Sequence, residues 1–259
     1  MFFVFKEFLL FLGEFFYLLR FFKQSLYFYK KVYFAGFNKD ECIEHILSCY
    51  TALYDLDSVI YYCDDYLESE DVNFNVYYFK AQALSYKGLY DEALKYYDLA
   101  LDIYPENLIA LIAKSDVLFK MGKDDLFLEC CEKILSLDSE NFHILYNKSC
   151  FYFNKEEWDL ALEFVNKSLE VDGSDLNALS TKSKIFINMG LLDEAMGTLD
   201  ILLAIYPNSI DDLMNKIFVL LDKGDYSEVR GYLEKVLKLD PTNEAALKIK
   251  EDMLENNDY

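Results

Sequence analysis

Proline and glycine are scarce in this sequence: three prolines and nine glycines among 259 residues. So few turn-formers exclude a β-sandwich and favour helices joined by short loops. Positive charge is scarce too. Twenty-five bases face 46 acids, a formal charge of −21, which repels a phosphate backbone and argues against nucleic-acid binding. Long apolar runs are missing. In the Phe-rich start, MFFVFKEFLLFLGEFFYLLRFF, the charges of Lys6, Glu7, Glu14 and Arg20 leave Phe8 to Gly13 as the longest uncharged stretch. That is far short of the roughly 20 residues a spanning helix needs, and the segment lacks the layout of a signal peptide.

Catalytic and metal signatures are absent as well. There is no CxxC pair, no Cys–His zinc spacing, no Gly-rich phosphate loop, no nucleophile elbow and no zinc-protease helix. Cys42, Cys49, Cys63, Cys130, Cys131 and Cys150 read as reduced thiols filling helix contacts in a reducing compartment. His45 and His143 read as partly exposed polar residues with no ligand cluster around them. The expectation is a cytoplasmic, non-enzymatic protein with no metal and no cofactor.

What the sequence does contain is a period. Pro207 and Pro241 stand 34 apart, and Pro105 keeps the same phase. Gly88, Gly122, Gly190 and Gly224 follow it, as does the unbroken series Lys80, Lys114, Lys148, Lys182 and Lys216. A chain with internal periodicity of this length is a repeat array. Cutting at that period gives units 40–73, 74–107, 108–141, 142–175, 176–209 and 210–243. In FNVYYFKAQALSYKGLYDEALKYYDLALDIYPEN, two stretches with apolar residues three and four apart flank a turn at Gly88 and stop at Pro105. That pattern predicts a helix, a tight turn and a second helix.

The unit resembles the tetratricopeptide repeat. Tyr77, Ala81, Leu84, Ala93, Tyr97, Ala100 and Pro105 occupy its positions 4, 8, 11, 20, 24, 27 and 32. Lysine at position 7, with Asp or Glu often at position 25 (Asp64, Asp98, Glu132, Asp200, Glu234), resembles a variant common in prokaryotic repeat proteins. Other units depart at the small positions. Position 8 holds Leu47 and Ile217 in the first and sixth units, and position 20 holds Val59, Phe127 and Val229 in the first, third and sixth. Those bulkier residues predict locally wider helix pairs. The resemblance implies an all-α, right-handed superhelical solenoid of antiparallel helix pairs. Residues 244–259 would cap its end, with Thr242 or Asn243 as N-cap.

The resemblance also implies a concave groove lined by each unit's first helix. Its expected residues are Asn75, Tyr78, Phe79, Gln82 and Ser85; Ile109, Ile112, Asp116, Phe119 and Lys120; His143, Tyr146, Asn147, Cys150 and Phe153; and Asn177, Ser180, Thr181, Lys184 and Asn188. Aromatics interleaved with amides suit a peptide or a helix of another protein. The family subset that clamps a chaperone C-terminus needs Lys at position 5. Here that position holds Glu44, Tyr78, Ile112, Tyr146, Ser180 and Met214, so the clamp is absent. The lysine ladder is expected to be structural, each ammonium lying near a position-25 residue, with Asn166 breaking the pattern.

Charge is unevenly spread. Residues 1–39 hold six bases and two acids, a net +4, so the other 220 residues carry −25. The acidic body predicts a partner that is not acidic. Residues 6–39 can be cut in register as a degenerate first repeat, with Gly13 at position 8, Ser25 at 20 and Tyr29 at 24. Lys6, Gly13 and Arg20, with Glu7 and Glu14, form one narrow polar stripe on an otherwise apolar helix. Three readings stand open for residues 1–31: burial under the next repeat, a membrane surface at the cytoplasmic face, or self-association.

Overall fold

In a computed structural model, residues 2–69 and 72–255 are described. Among them are fifteen helices and no strand. They run α1 (Phe2–Leu18), α2 (Phe22–Phe34), α3 (Lys39–Ala52), α4 (Leu56–Ser69), α5 (Phe74–Tyr86), α6 (Tyr90–Ile103), α7 (Leu108–Lys120), α8 (Asp124–Leu137), α9 (Phe142–Asn154), α10 (Trp158–Val171), α11 (Leu176–Asn188), α12 (Leu192–Ile205), α13 (Ile210–Lys223), α14 (Tyr226–Leu239) and α15 (Glu244–Glu255). The even-numbered helices begin every 34 residues from Phe22 to Tyr226. Two compact units divide between Leu137 and Asp138. The first stacks four helix pairs, α1/α2 to α7/α8; the second stacks three, α9/α10 to α13/α14, followed by α15. The fold is an all-α helical repeat.

From α5 onward the start of each odd-numbered helix is capped. The side chains of Asn73, Asn107, Asn141, Asp175, Ser209 and Asn243 accept a hydrogen bond from the backbone N–H three residues on. Each satisfies one orphan donor of a helix start, worth about 1 kcal/mol. The cap of α15 is thus Asn243, not Thr242, whose hydroxyl turns to Asp240. Between the helices of each pair one residue takes a positive φ. It is glycine at Gly88 (φ +77°), Gly122, Gly190 and Gly224, but Arg20, Tyr54 and Glu156 adopt φ of 60°, 56° and 59°. A side chain in that region meets steric cost that glycine escapes.

Within a pair, the residues at positions 8 and 20 set how closely the helices approach. In α9/α10 the Ser149 hydroxyl donates to the Ala161 carbonyl at 2.9 Å, and in α1/α2 Ser25 donates to Gly13 at 2.9 Å. Where the pair is Leu47/Val59, Ser115/Phe127 or Ile217/Val229, all fully buried, the helices are held further apart than in α5/α6, α9/α10 and α11/α12. The bulk at those positions is the physical cause.

Between pairs, the ladder lysines reach back. Lys80 on α5 pairs with Asp64 on α4, Lys114 on α7 with Asp98 on α6 at 2.6 Å, and Lys216 on α13 with Asp200 on α12. Lys80, Lys148 and Lys216 are buried, and each lies under a ring from the second helix of its own pair: Tyr96 at 4.1 Å, Phe164 at 4.2 Å and Tyr232 at 4.8 Å. At the same position Lys114 and Lys182 find Cys130 and Thr198 instead, and both are only half-buried. Lys182 makes no ion pair among the described residues; its ammonium lies 5.7 Å from the Phe186 ring. For Lys216, burial alone would lower the pKa, but hydrogen bonds to Asp200 and Tyr232 outweigh it and leave it raised.

The N-terminal helix packs through the small residue at position 8 of its register. Gly13 is buried, and a Cβ there would stand 3.0 Å from the Tyr29 ring. The polar stripe therefore turns inward at Gly13, while Phe5, Phe8, Phe11 and Phe15 are 46–61% exposed. Glycine at this position lets α1 approach the Tyr29 ring more closely than a residue with a Cβ would without a shift of that ring. The helix packs Leu9, Leu10 and Gly13 against α2 and leaves its other side exposed.

Two outcomes test this account. Lys216→Met keeps the packed stem and removes the charge, so urea unfolding should shift by less than about 1 kcal/mol. Asp200→Ala leaves a buried ammonium behind and should cost about 1–3 kcal/mol, less than in a dry interior because Asp200 is 59% exposed. Equal losses would mean that the ion pair, not the stem, holds α13 to α12. With the folded pKa raised, the ammonium's contribution is complete below about pH 10.4 and fades as pH climbs through the folded value. Glu156→Gly should relieve the left-handed backbone and raise stability by about 0.5–1 kcal/mol; a loss instead would show that the Glu156 side chain contributes more than its backbone costs.

Candidate functional site

The first helices of neighbouring pairs lie side by side, and the expected groove residues fall on two clusters, one in each compact unit. In the first unit, α5 and α7 enclose a cavity of about 310 Å³. Tyr78, Gln82 and Ser85 from α5 face Ile109, Ile112, Asp116 and Lys120 across it. Tyr86 and Tyr97, outside the expected groove set, also line it. Tyr97 comes from α6 as the aromatic of position 24, a residue that packs the pair and at the same time closes the groove wall.

The local chemistry is amphipathic. Tyr78 stacks on Phe74 at 6.1 Å and leans on Tyr97, and burial raises its pKa. Gln82 donates to the Tyr78 hydroxyl at 3.2 Å. Ile109 is 64% exposed, an apolar side chain beside the carboxylate of Asp116. Three expected residues stand apart from the cavity, and of these Phe79 packs partly buried against the core that includes Val76 and Ala83. Asn75 donates to Glu44 at 2.6 Å, and Phe119 packs against Phe127 at 5.2 Å, inside the widened α7/α8 pair.

In the second unit the cluster is built on α9 and α11. Tyr146, Cys150 and Thr181 are joined by side-chain hydrogen bonds, and burial pushes the Tyr146 phenol up to about 12. Burial likewise raises the Cys150 thiol, which disfavours the reactive thiolate. Asn147 and His143 hydrogen-bond at 3.2 Å. Ser180 donates to Asp212 at 2.9 Å, joining α11 to α13. Lys184 and Asn177 are exposed, and Asn188 donates to the Lys184 carbonyl at 2.8 Å. On α13 the Asn215 amide nitrogen is buried and has no hydrogen-bond partner among the described residues.

Other candidate chemistry resolves into packing. His45 is half-buried, stacked on Tyr29 at 4.4 Å with Tyr17 against its edge, and burial lowers its pKa. It is a core aromatic here, not a groove residue. All six cysteines are free thiols, and Cys150 alone of them is not fully buried. Among the described residues no group of three His, Cys, Asp or Glu side chains could hold a metal ion, and no helix is long and apolar enough to cross a membrane. A larger cavity of about 760 Å³ lies along α6 and α8. Four of its eight lining charges pair with one another, Lys114 with Asp98 and Lys123 with Asp91 at 3.2 Å.

Tetratricopeptide repeat family models match residues 74–107 and 181–209. No curated protein matches the sequence. Among solved structures, the C-terminal part of a repeat-containing protein from Cytophaga hutchinsonii is similar over 91% of this chain and 97% of its own, with 16% identity and a TM-score of 0.75. A tetratricopeptide repeat protein from Parabacteroides merdae is similar over 94% and 96%, with 13% identity and a TM-score of 0.68. YrrB, described as having an unusual peptide-binding site, is similar over 73% and 97%, with 22% identity and a TM-score of 0.60. At these identities the likeness is one of fold. The periodic motif, the helix pairs and the two matched segments agree: residues 74–107 and 181–209 match the tetratricopeptide repeat, and the chain shares the fold of proteins built from it.

Proposed function

We propose that this chain is a non-enzymatic adaptor that holds a peptide or helix of another protein against its first helices. The observation that carries the reading is the α5/α7 cavity. It offers apolar walls from Tyr78, Ile109 and Ile112 with a carboxylate and an amide at hand, the composition that seats one apolar anchor and fixes its neighbours by hydrogen bonds. Its volume of about 310 Å³ suits a side chain or two, not a cofactor. YrrB, a protein of the same fold, carries a peptide-binding site.

Charge narrows the partner. With −25 on residues 40–259, an acidic segment is repelled and a basic or neutral one is drawn in. Affinity capture with the full chain identifies the partner, and its affinity is then measured for variants. Ile112→Asp should weaken binding at least about tenfold, the loss typical of a central anchor, while Lys133→Ala on the second-helix side leaves it unchanged. Raising salt should slow association by about tenfold. A partner that tolerates Ile112→Asp but not Lys133→Ala would move the binding surface to the α6/α8 side.

A further inference from the structure

The hairpin α1/α2 carries a surface that the adaptor reading does not use. With Gly13 locked against Tyr29, the opposite face of α1 presents Phe5, Phe8, Phe11, Phe15 and Leu18 to solvent, each 46–73% exposed. A contiguous apolar patch of this kind marks an interaction surface. It continues onto α2 through touching rings. Phe11 stacks on Phe15 at 6.4 Å, Phe15 meets Phe16 at 5.5 Å, Phe16 stacks on Phe28 at 5.6 Å, and Phe28 meets Tyr27 at 5.2 Å. Over the Tyr27 ring, at 4.3 Å, sits the Lys31 ammonium, which also donates to the Tyr27 hydroxyl at 2.6 Å. Apolar rings and basic side chains are therefore one surface.

Six lysines of the acidic body are neutralised by ion pairs. Lys80, Lys87, Lys114, Lys123, Lys216 and Lys223 each pair with an aspartate. Arg20, Lys23, Lys30 and Lys31 pair with no carboxylate among the described residues; the only partners of Lys30 and Lys31 there are tyrosines. Two acids, Glu7 and Glu14, border the apolar face at helical spacing, and Glu7 is 3.7 Å from Lys6. The patch asks for an occupant that is apolar and anionic at once.

We propose that the α1/α2 hairpin docks into the surface of an anionic lipid bilayer. Helix α1, about 25 Å long, lies flat with its rings among the acyl chains, and Arg20, Lys23, Lys30 and Lys31 meet lipid phosphates. The charge of −25 on residues 40–259 is repelled by the same surface, so the chain approaches through its basic end. A second copy fits less well, because a two-fold contact through this face sets the same four cations against themselves.

The test is flotation of the full chain with vesicles of phosphatidylcholine, with and without about one third phosphatidylglycerol. The chain should float with the anionic vesicles and stay behind with the zwitterionic ones. Phe8→Ser, Phe11→Ser and Phe15→Ser combined, all on the exposed face and harmless to the fold by circular dichroism, should abolish flotation. Lys23→Gln with Lys31→Gln should weaken it by about fivefold for each cation removed. No flotation with either vesicle overturns the proposal. So does flotation that the lysine variants leave untouched, or a dimer by sedimentation that the Phe variants dissolve while vesicle binding is nil.

Discussion

The contact on which this molecule depends is the one between one helix pair and the next, because a repeat array has no long-range contacts to fall back on. Here that contact contains a cation that no soluble core would choose. Lys216 has a side chain only 5% exposed, and an ammonium at such depth is tolerable because three things coincide. Its stem packs between helices, Asp200 of the preceding pair takes its charge, and the Tyr232 ring covers it. The acid comes from behind and the ring from its own pair, so the lysine can be satisfied only when two successive pairs are in register. Substituting a hydrophobe would keep the packing and lose that requirement. The ion pair thus selects one register at little cost in stability.

Much of this was legible in the sequence because periodic features repeat their evidence. Gly88, Gly122, Gly190 and Gly224 each report the same left-handed turn, and proline and lysine keep the same phase. What escaped was whatever is periodic in role but not in residue type. The helix caps at residues 73, 107, 141, 175, 209 and 243 hold the 34-residue period, yet Asn, Asp and Ser share the work and no single letter recurs. Arg20, Tyr54 and Glu156 occupy the glycine turn without being glycine. The ring over the ladder lysine is Tyr96, Phe164 or Tyr232 in alternate pairs and Cys130 or Thr198 between them, an alternation that a search for one residue type passes over.

The groove was legible to a different degree, because facing solvent imposes less on a side chain than facing a neighbour does. Tyr78, Gln82, Ile112 and Asp116 do meet around one cavity, since positions three and four apart on a first helix share a face. Phe119 shares the helix but is drawn toward Phe127. That displacement follows from bulk at position 20: a phenylalanine where the family pattern has a small residue opens the α7/α8 pair, and the nearest aromatic turns into the gap. His45 is drawn inward for a related reason. Its position faces the groove in other pairs, but Tyr29 and Tyr17 approach close enough to take it into the core.

The two ends of the array solve opposite problems. A stacked repeat exposes an apolar face wherever stacking stops, and that face must be covered. At the C-terminal end α15 does so. Ala246 and Met253 turn inward, and Lys248, Glu251 and Asp252 are among the residues left outside. At the other end α1 buries Leu9, Leu10 and Gly13 on α2 and leaves its phenylalanines outside. The contrast is not a matter of helix propensity, which both ends satisfy. It lies in what each outer face can be solvated by. The outer face of α15 is charged, whereas that of α1 is a row of phenylalanine rings that continues onto α2 beside the Lys31 ammonium, the pattern on which the proposed docking to a bilayer rests.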